Sequence, residues 1–195
     1  MSNNSNVREW MFRALMFEAE AENFKSAGIQ VGADNEQTEK SLMGESLRPF
    51  SIQARNEALK MARIYALINC FENSVRDIIK ERLKDKYTTD WWEKGVPKTV
   101  RDFAQKRQEE AQLNSWLEGD NTEIIEFTQF GHLSDIITHN WNNFSDLIPT
   151  QHWLKQRFDE LEKARNYIAH NRLLLPSEFR RIEQYINDWD KQIGL

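Results

Sequence analysis

Arg165, Asn166 and His170, in the stretch "LEKARNYIAHNR" at 161–172, are side chains that together could handle a phosphodiester. A guanidinium neutralises a phosphate, an amide fixes orientation, and an imidazole moves protons near neutral pH. Their spacing also poses a packing question. At the helical repeat, Leu154, Phe158, Leu161, Ile168 and Ala169 fall on one apolar side, and Arg165 lies in the middle of it. A buried charge without a partner is expensive, so a carboxylate is expected beside it. Glu72 is the candidate, because it projects at the edge of an earlier helix's apolar arc, next to Ile68 and Ile79. The competing reading has Arg165 snorkel, with its stem buried and its head in water.

His170 follows Arg165 by five residues, about 140° around a helix and about 7.5 Å along it. Asn166 is four residues before His170 and shares nearly the same face. Glu162, Asn166 and His170 thus form a polar stripe bordering the core stripe that holds Arg165. Such a helix can pack by one side and present Asn and His at a groove. The bare Arg-x4-His spacing is weakly specific. The adjacent Asn, the surrounding apolar helix and the possible acidic partner give it weight.

The elements that must position these groups read as helices throughout. Glycine and proline are scarce, seven and four in 195 residues, and no stretch alternates like a strand between turns. A long helix is predicted over about 51–86, burying Met61, Ile64, Ile68, Phe71, Val75 and Ile79. The loop "TTDWWEKGVP" follows, and Pro97 can open a charged helix over about 97–117. A shorter helix is expected at 127–140. Thr150 can cap the motif helix, and Pro176 starts a last helix that buries Phe179, Ile182, Ile186 and Trp189.

Residues 1–47 are set apart by charge. They hold four basic residues against eight acidic ones, leaving 22 against 23 in the rest of a chain of net charge −5. That balance excludes a broadly basic nucleic-acid coat. It leaves room for a local patch, since residues 155–181 carry seven basic and four acidic side chains. Trp10, Ala14, Phe17, Ala21 and Phe24 recur at four-three spacing, a narrow helical seam, and 26–46 reads as a polar linker. The division is therefore 1–47, an acidic helix and linker, and 48–195, a helical domain. The chain has no run of eighteen apolar residues, and its N-terminus lacks the pattern of a signal peptide. One cysteine, Cys70, cannot form an internal disulfide, so a cytoplasmic setting is the default.

Other chemistry-bearing residues have plainer readings. His132 and His139 lack the closer spacing and further ligands of a zinc site, so no metal is assigned. Trp91, Trp92 and Trp141 could stack on bases, but buried aromatic anchors are the simpler reading. Cys70 reads as packing within an apolar face. No Gly-rich phosphate loop or Gly-x-Ser-x-Gly elbow is present.

"ELEKARNYIAHNR" resembles the signature of HEPN domains, small all-α domains of which many are metal-independent RNases. "ALINCFENSVRDIIKERL", "DWWEKGVP", "FGHLSDIITHNW" and "RIEQYINDWDKQIG" extend the likeness, in the expected order, over about residues 50–193. They resemble the HEPN branch of a transcription-quality-control endonuclease and its bacterial relatives. The resemblance implies an all-α HEPN-type bundle, here with an N-terminal helical extension. It further implies a homodimer whose two motif helices meet in one composite site, with no cofactor. Arg165 matches the family's arginine, Asn166 its polar follower, His170 its histidine, and Glu72 the acidic residue of an earlier helix. The implied reaction is attack of an RNA 2′-hydroxyl on the adjacent phosphorus, leaving a 2′,3′-cyclic phosphate and a 5′-hydroxyl.

One position departs from the family. Where some HEPN toxins carry a tyrosine modified by their antitoxin, two residues after the histidine, this chain has Arg172. That puts such control in doubt and makes Arg172, with Lys163, a candidate RNA-binding residue. The implied setting is a toxin or phage-defence effector. The alternative is an inactive HEPN adaptor for dimerisation, RNA binding or protein binding. Residues 1–47 lie outside the resemblance and allow three readings: an extra core helix, which is the plainest, a contact for an antitoxin or defence-system partner, or a cover for the basic motif surface like an RNA mimic.

Overall fold

Helix α1, Ile52–Tyr87, carries the first wall of the core. In the computed structural model, which describes residues 46–113 and 122–193, its buried residues are Ile64, Ile68, Phe71, Glu72, Val75, Ile79 and Leu83. Their spacing of three and four is the stripe expected of a helix packed on one side. The acidic helix and linker read for the N-terminal segment lie, through residue 45, outside the described residues. The chain divides into two units, Met1–Asn56 and Glu57–Gly194. In the first unit, the Ser51 hydroxyl accepts the Ala54 N–H at 3.2 Å and so caps the start of α1, while Phe50 and Ile52 are exposed.

In the second unit, α1 ends with Lys84 and Lys86 in its last turn, where cations favour the carbonyl end of the helix dipole. Thr88 then takes a left-handed φ of 55°, costly for a β-branched residue, and turns the chain into α2, Trp91–Gly95. A Cβ at Gly95 would stand 2.9 Å from Leu83 Cδ1, so a larger residue there would push that buried side chain aside. The buried Asn140 amide donates to the Gly95 carbonyl at 2.6 Å and to that of Ile136 at 2.9 Å, fixing α2 against α4.

Helix α3 spans Lys98–Gln112, with Pro97 as its N-cap and Val100 and Ala104 buried. It ends earlier than the expected 117, and residues 114–121 lie outside the described residues. The helix expected at 127–140 divides. A tight turn over Ile124–Phe127 stops at buried Thr128, whose hydroxyl donates to the Ile125 carbonyl at 2.6 Å. Helix α4, Phe130–His139, then starts afresh with a capping box made by Gln129 and His132.

Thr150 caps α5, Gln151–Ala169, its hydroxyl accepting the Trp153 N–H at 3.0 Å. Helix α6, Pro176–Ile193, buries Ile182 and Trp189. Four aromatic rings join α1, α4, α5 and α6. Phe71 lies 5.7 Å from Phe130, 5.5 Å from Phe158 and 5.4 Å from Trp189, most of these contacts edge-on. The architecture is an all-α bundle, with no strand among the described residues. Phe71 and Phe158 register α1 against α5, and that registration brings Glu72 toward Arg165.

Candidate active site

Glu72 follows Phe71 in α1 and turns its carboxylate into the α1–α5 contact, where its side chain is 9% exposed. Arg165 extends to it from α5. The Arg165 Nη2 stands 3.9 Å from Glu72 Oε1, within ion-pair range but beyond hydrogen-bond length. Its side chain is 29% exposed, so the guanidinium also reaches solvent. The two sequence readings of this arginine are thus each partly realised.

The short contact to Glu72 comes from a residue that sequence analysis missed. Arg76 Nη2 lies 2.5 Å from the same oxygen, Oε1, and its side chain is only 12% exposed. Arg76 also donates through Nη1 to Asn73 Oδ1 at 2.8 Å and through Nη2 to the Thr128 carbonyl at 3.2 Å. The signal was present: Glu72 and Arg76 stand four apart in "ENSVR", the helical spacing that supports an ion pair. Two guanidiniums therefore face one carboxylate. The cluster retains one surplus positive charge.

The motif helix stops before its histidine. Ala169 is the last helical residue, and Asn171 adopts a left-handed φ of 57°. The Asn171 N–H donates to the Ile168 carbonyl at 2.8 Å, and the Arg172 N–H to that of Tyr167 at 3.3 Å. This paired bonding around a left-handed residue is a common way to close a helix, and Asn tolerates that backbone better than other non-glycine residues. His170 is thus the C-cap, its N–H donating to the Asn166 carbonyl at 3.2 Å. Ala169, expected on the apolar side, is exposed, because the chain turns away directly after it.

Asn166 and His170 are both exposed, and neither side chain hydrogen-bonds another described residue. Lys163 and Arg172 are exposed too, with the Arg172 guanidinium 5.4 Å over the Tyr167 ring. One chain therefore brings Glu72, Arg76 and Arg165 together and leaves Asn166, His170, Lys163 and Arg172 on its surface.

The remaining candidates have structural explanations. His132 Nδ1 accepts the Gln129 N–H at 3.1 Å in the capping box of α4, and its ring meets Phe103 edge-on at 4.6 Å. Burial holds this imidazole below its ordinary pKa, against the opposing pull of Asp135 and Glu162. Trp92 is buried and packs edge-on against the partly buried Trp91. Cys70 is exposed rather than packed: it lies two residues from Ile68, about 200° around α1, on the solvated side. No group of three or more His, Cys, Asp or Glu suited to a metal ion occurs among the described residues.

Residues 66–194 match the family model described as Swt1-like HEPN. The chain belongs to the HEPN family. No curated protein and no solved structure matches it. The HEPN match runs from within α1 to the end of α6, and so takes in Glu72, Arg76, Arg165, Asn166 and His170. No helix among the described residues of this HEPN chain is long and apolar enough to cross a membrane.

Proposed function

We propose that this HEPN protein is a metal-independent endoribonuclease that works as a homodimer. The observation that carries the reading is the state of Arg165. It stands 3.9 Å from a carboxylate already engaged by Arg76, and it belongs to the helix that His170 terminates. A guanidinium with unspent donors and a net positive surrounding suits a phosphodiester.

The reaction needs no external nucleophile. The RNA 2′-hydroxyl is tethered beside the phosphorus, so positioning replaces a bimolecular encounter. One His170 accepts the 2′-hydroxyl proton as the oxygen bonds to phosphorus. The bond from phosphorus to the 5′-oxygen breaks, and a second His170 protonates the departing oxygen. Products are a 2′,3′-cyclic phosphate and a 5′-hydroxyl. Arg165 stabilises charge on the phosphoryl oxygens, and Asn166 orients the phosphate. One chain supplies one histidine, so the acid and base pair requires two copies. Lys163 and Arg172 would hold neighbouring phosphates of the strand. Glu72 acts through the arginines.

The proposed setting is a toxin or phage-defence effector in the cytoplasm, with residues 1–47 contacting an antitoxin or defence-system partner. This step rests on family analogy. One observation favours a second reading. His170 has no orienting partner within the described chain, as would suit an inactive HEPN adaptor that binds RNA or protein.

Incubating the protein with a mixed RNA pool in EDTA separates the two. The nuclease reading expects cyclic-phosphate ends that disappear in Arg165→Ala and His170→Ala while both variants remain folded dimers. Cleavage that survives both substitutions overturns the assignment. Binding without cleavage, unchanged in His170→Ala, supports the adaptor.

A further inference from the structure

Arg76 and Arg165 approach the same oxygen of Glu72, at 2.5 Å and 3.9 Å, and are held very differently. Arg76 is nearly buried and fixed at three acceptors: Glu72, the Asn73 amide oxygen and the Thr128 carbonyl. Asn73 is itself oriented, its amide nitrogen donating to Asn69 Oδ1 at 3.2 Å. Among the described residues, Arg165 has no hydrogen-bond acceptor, and its contact with Glu72 is Coulombic alone.

A carboxylate 9% exposed and facing one cation would normally close on it in a short, two-point pair, spending the guanidinium's donor edge. Here the short contact, a single one from Nη2 to Oε1, has formed with Arg76 instead. We infer that Arg76 is a positioning residue that occupies Glu72, so that Arg165 is drawn into place by the carboxylate's field without being captured by it. The inference rests on the reading of Arg165 as the phosphate-binding group. It assigns a role to each charge in the cluster. Arg76 and Glu72 neutralise one another as a fixed ion pair, and Arg165 remains the surplus cation, matched to the single negative charge of a phosphodiester.

The consequence is a specific non-additivity. In Arg76→Met, Glu72 has only Arg165 within reach and closes on it, withdrawing the donors the phosphate needs. Misplacement of this size lowers kcat/KM by about a hundredfold. Removing the carboxylate's charge as well, in Arg76→Met with Glu72→Gln, frees Arg165 again, and the double variant cleaves about tenfold faster than Arg76→Met alone. Arg76→Lys, which keeps a cation over Glu72, retains most of the activity. A purely structural Arg76 predicts the reverse, a double variant no better than the single one.

The experiment measures cleavage of a mixed RNA pool in EDTA, together with the affinity for the same pool made with 2′-O-methyl nucleotides, which bind but cannot react. Circular dichroism checks each fold. Should Arg76→Met not fold, Arg76→Gln, which retains a donor for Thr128, replaces it in both comparisons. Cleavage by the parent protein and recovery in the double variant support the inference. Cleavage without recovery overturns it and leaves the nuclease reading intact. Binding without cleavage, with affinity lost in Arg76→Met and regained in the double variant, supports the inference and removes the nuclease reading. A parent that neither cleaves nor binds overturns both.

Discussion

Helix α5 carries arginines on two seams, and the seams are built on opposite charge balances. Toward α6, Arg157 lies over the faces of Trp153 and Tyr185, at 4.3 Å and 4.9 Å, and Tyr185 donates its hydroxyl to Glu160 at 2.7 Å. Arg181 bridges Glu160, at 3.5 Å, and Glu178. Two arginines there meet two glutamates. The hydrogen bond from Tyr185 holds the Glu160 carboxyl below its usual range, helped by Gln156 and the two arginines, while burial and Glu160 itself push the Tyr185 hydroxyl up. Toward α1, two arginines share only Glu72. The balanced seam joins its helices by ring stacking, a tyrosine hydrogen bond and ion pairs, although the buried Arg157 Nε finds no acceptor among the described residues. The unbalanced one keeps a cation partly exposed with its donors unspent, which is the condition for binding an anion.

Substitution on either seam can break that contrast. Arg165→Ala is expected to lower RNA cleavage by about a hundredfold or more with little change in thermal midpoint. Arg157→Ala should leave cleavage near the parent rate and cost about 1–2 kcal/mol of stability, through lost stacking on two rings. Denaturant melts beside end-labelled cleavage assays decide it. If both variants lose activity equally, the division between seams is wrong.

The two acidic residues sharpen the comparison further. Glu72→Ala leaves Arg76 buried with a single carbonyl and one amide, a loss of about 3–5 kcal/mol in urea denaturation. Glu160→Ala strands the Tyr185 hydroxyl but leaves the half-exposed Arg181 paired with Glu178, and should cost about 1–2 kcal/mol. Equal losses would mean that burial at Glu72 matters less than its geometry implies.

A pH series tests whether acid sensitivity lies away from either seam. Because burial lowers the His132 pKa in the fold, its contribution to stability is present above the unfolded value of about 6.5 and is lost as pH falls through the folded one. Protonation also removes the Nδ1 acceptor from the α4 capping box. His132→Gln keeps an acceptor at that position, so its urea midpoint should vary less between neutral and mildly acidic pH than the parent's. The smallest effect is expected at the helix end. Asn171→Gly should raise stability by up to about 1 kcal/mol by relieving the left-handed φ of 57°. Asn171→Ala should lower it by a similar amount.

Much of this fold was legible in the residues, and the misses have a common cause. The three-four spacing of Ile64, Ile68, Phe71, Val75 and Ile79 names the buried side of α1, and Thr150 is the cap of α5. Where a helix stops was harder to read. "YIAHNR" continues the helical pattern through His170, yet Asn171 takes the left-handed turn that closes the helix one residue earlier. Thr128 likewise interrupts an apolar run by bonding back to Ile125. Both are local contests between the helical ladder and a competing hydrogen bond, decided by a fraction of the energy that apolar periodicity reports. Cys70 was misread for a different reason: its neighbours are apolar, but its angle around α1 points it to water.

The all-α class and most of the buried helix faces could be read from the sequence alone. Those follow from periodicity and residue type, which are properties of one segment at a time. The four-residue spacing in α1 allows Glu72 to pair with Arg76, but the packing of the helices settles that Arg165 stops 3.9 Å away while Arg76 closes to 2.5 Å. Which of two guanidiniums closes on a carboxylate depends on how α1 and α5 register through Phe71 and Phe158, on the Thr128 carbonyl from a third element, and on how little water reaches the contact. None of these is written in a single helix's pattern.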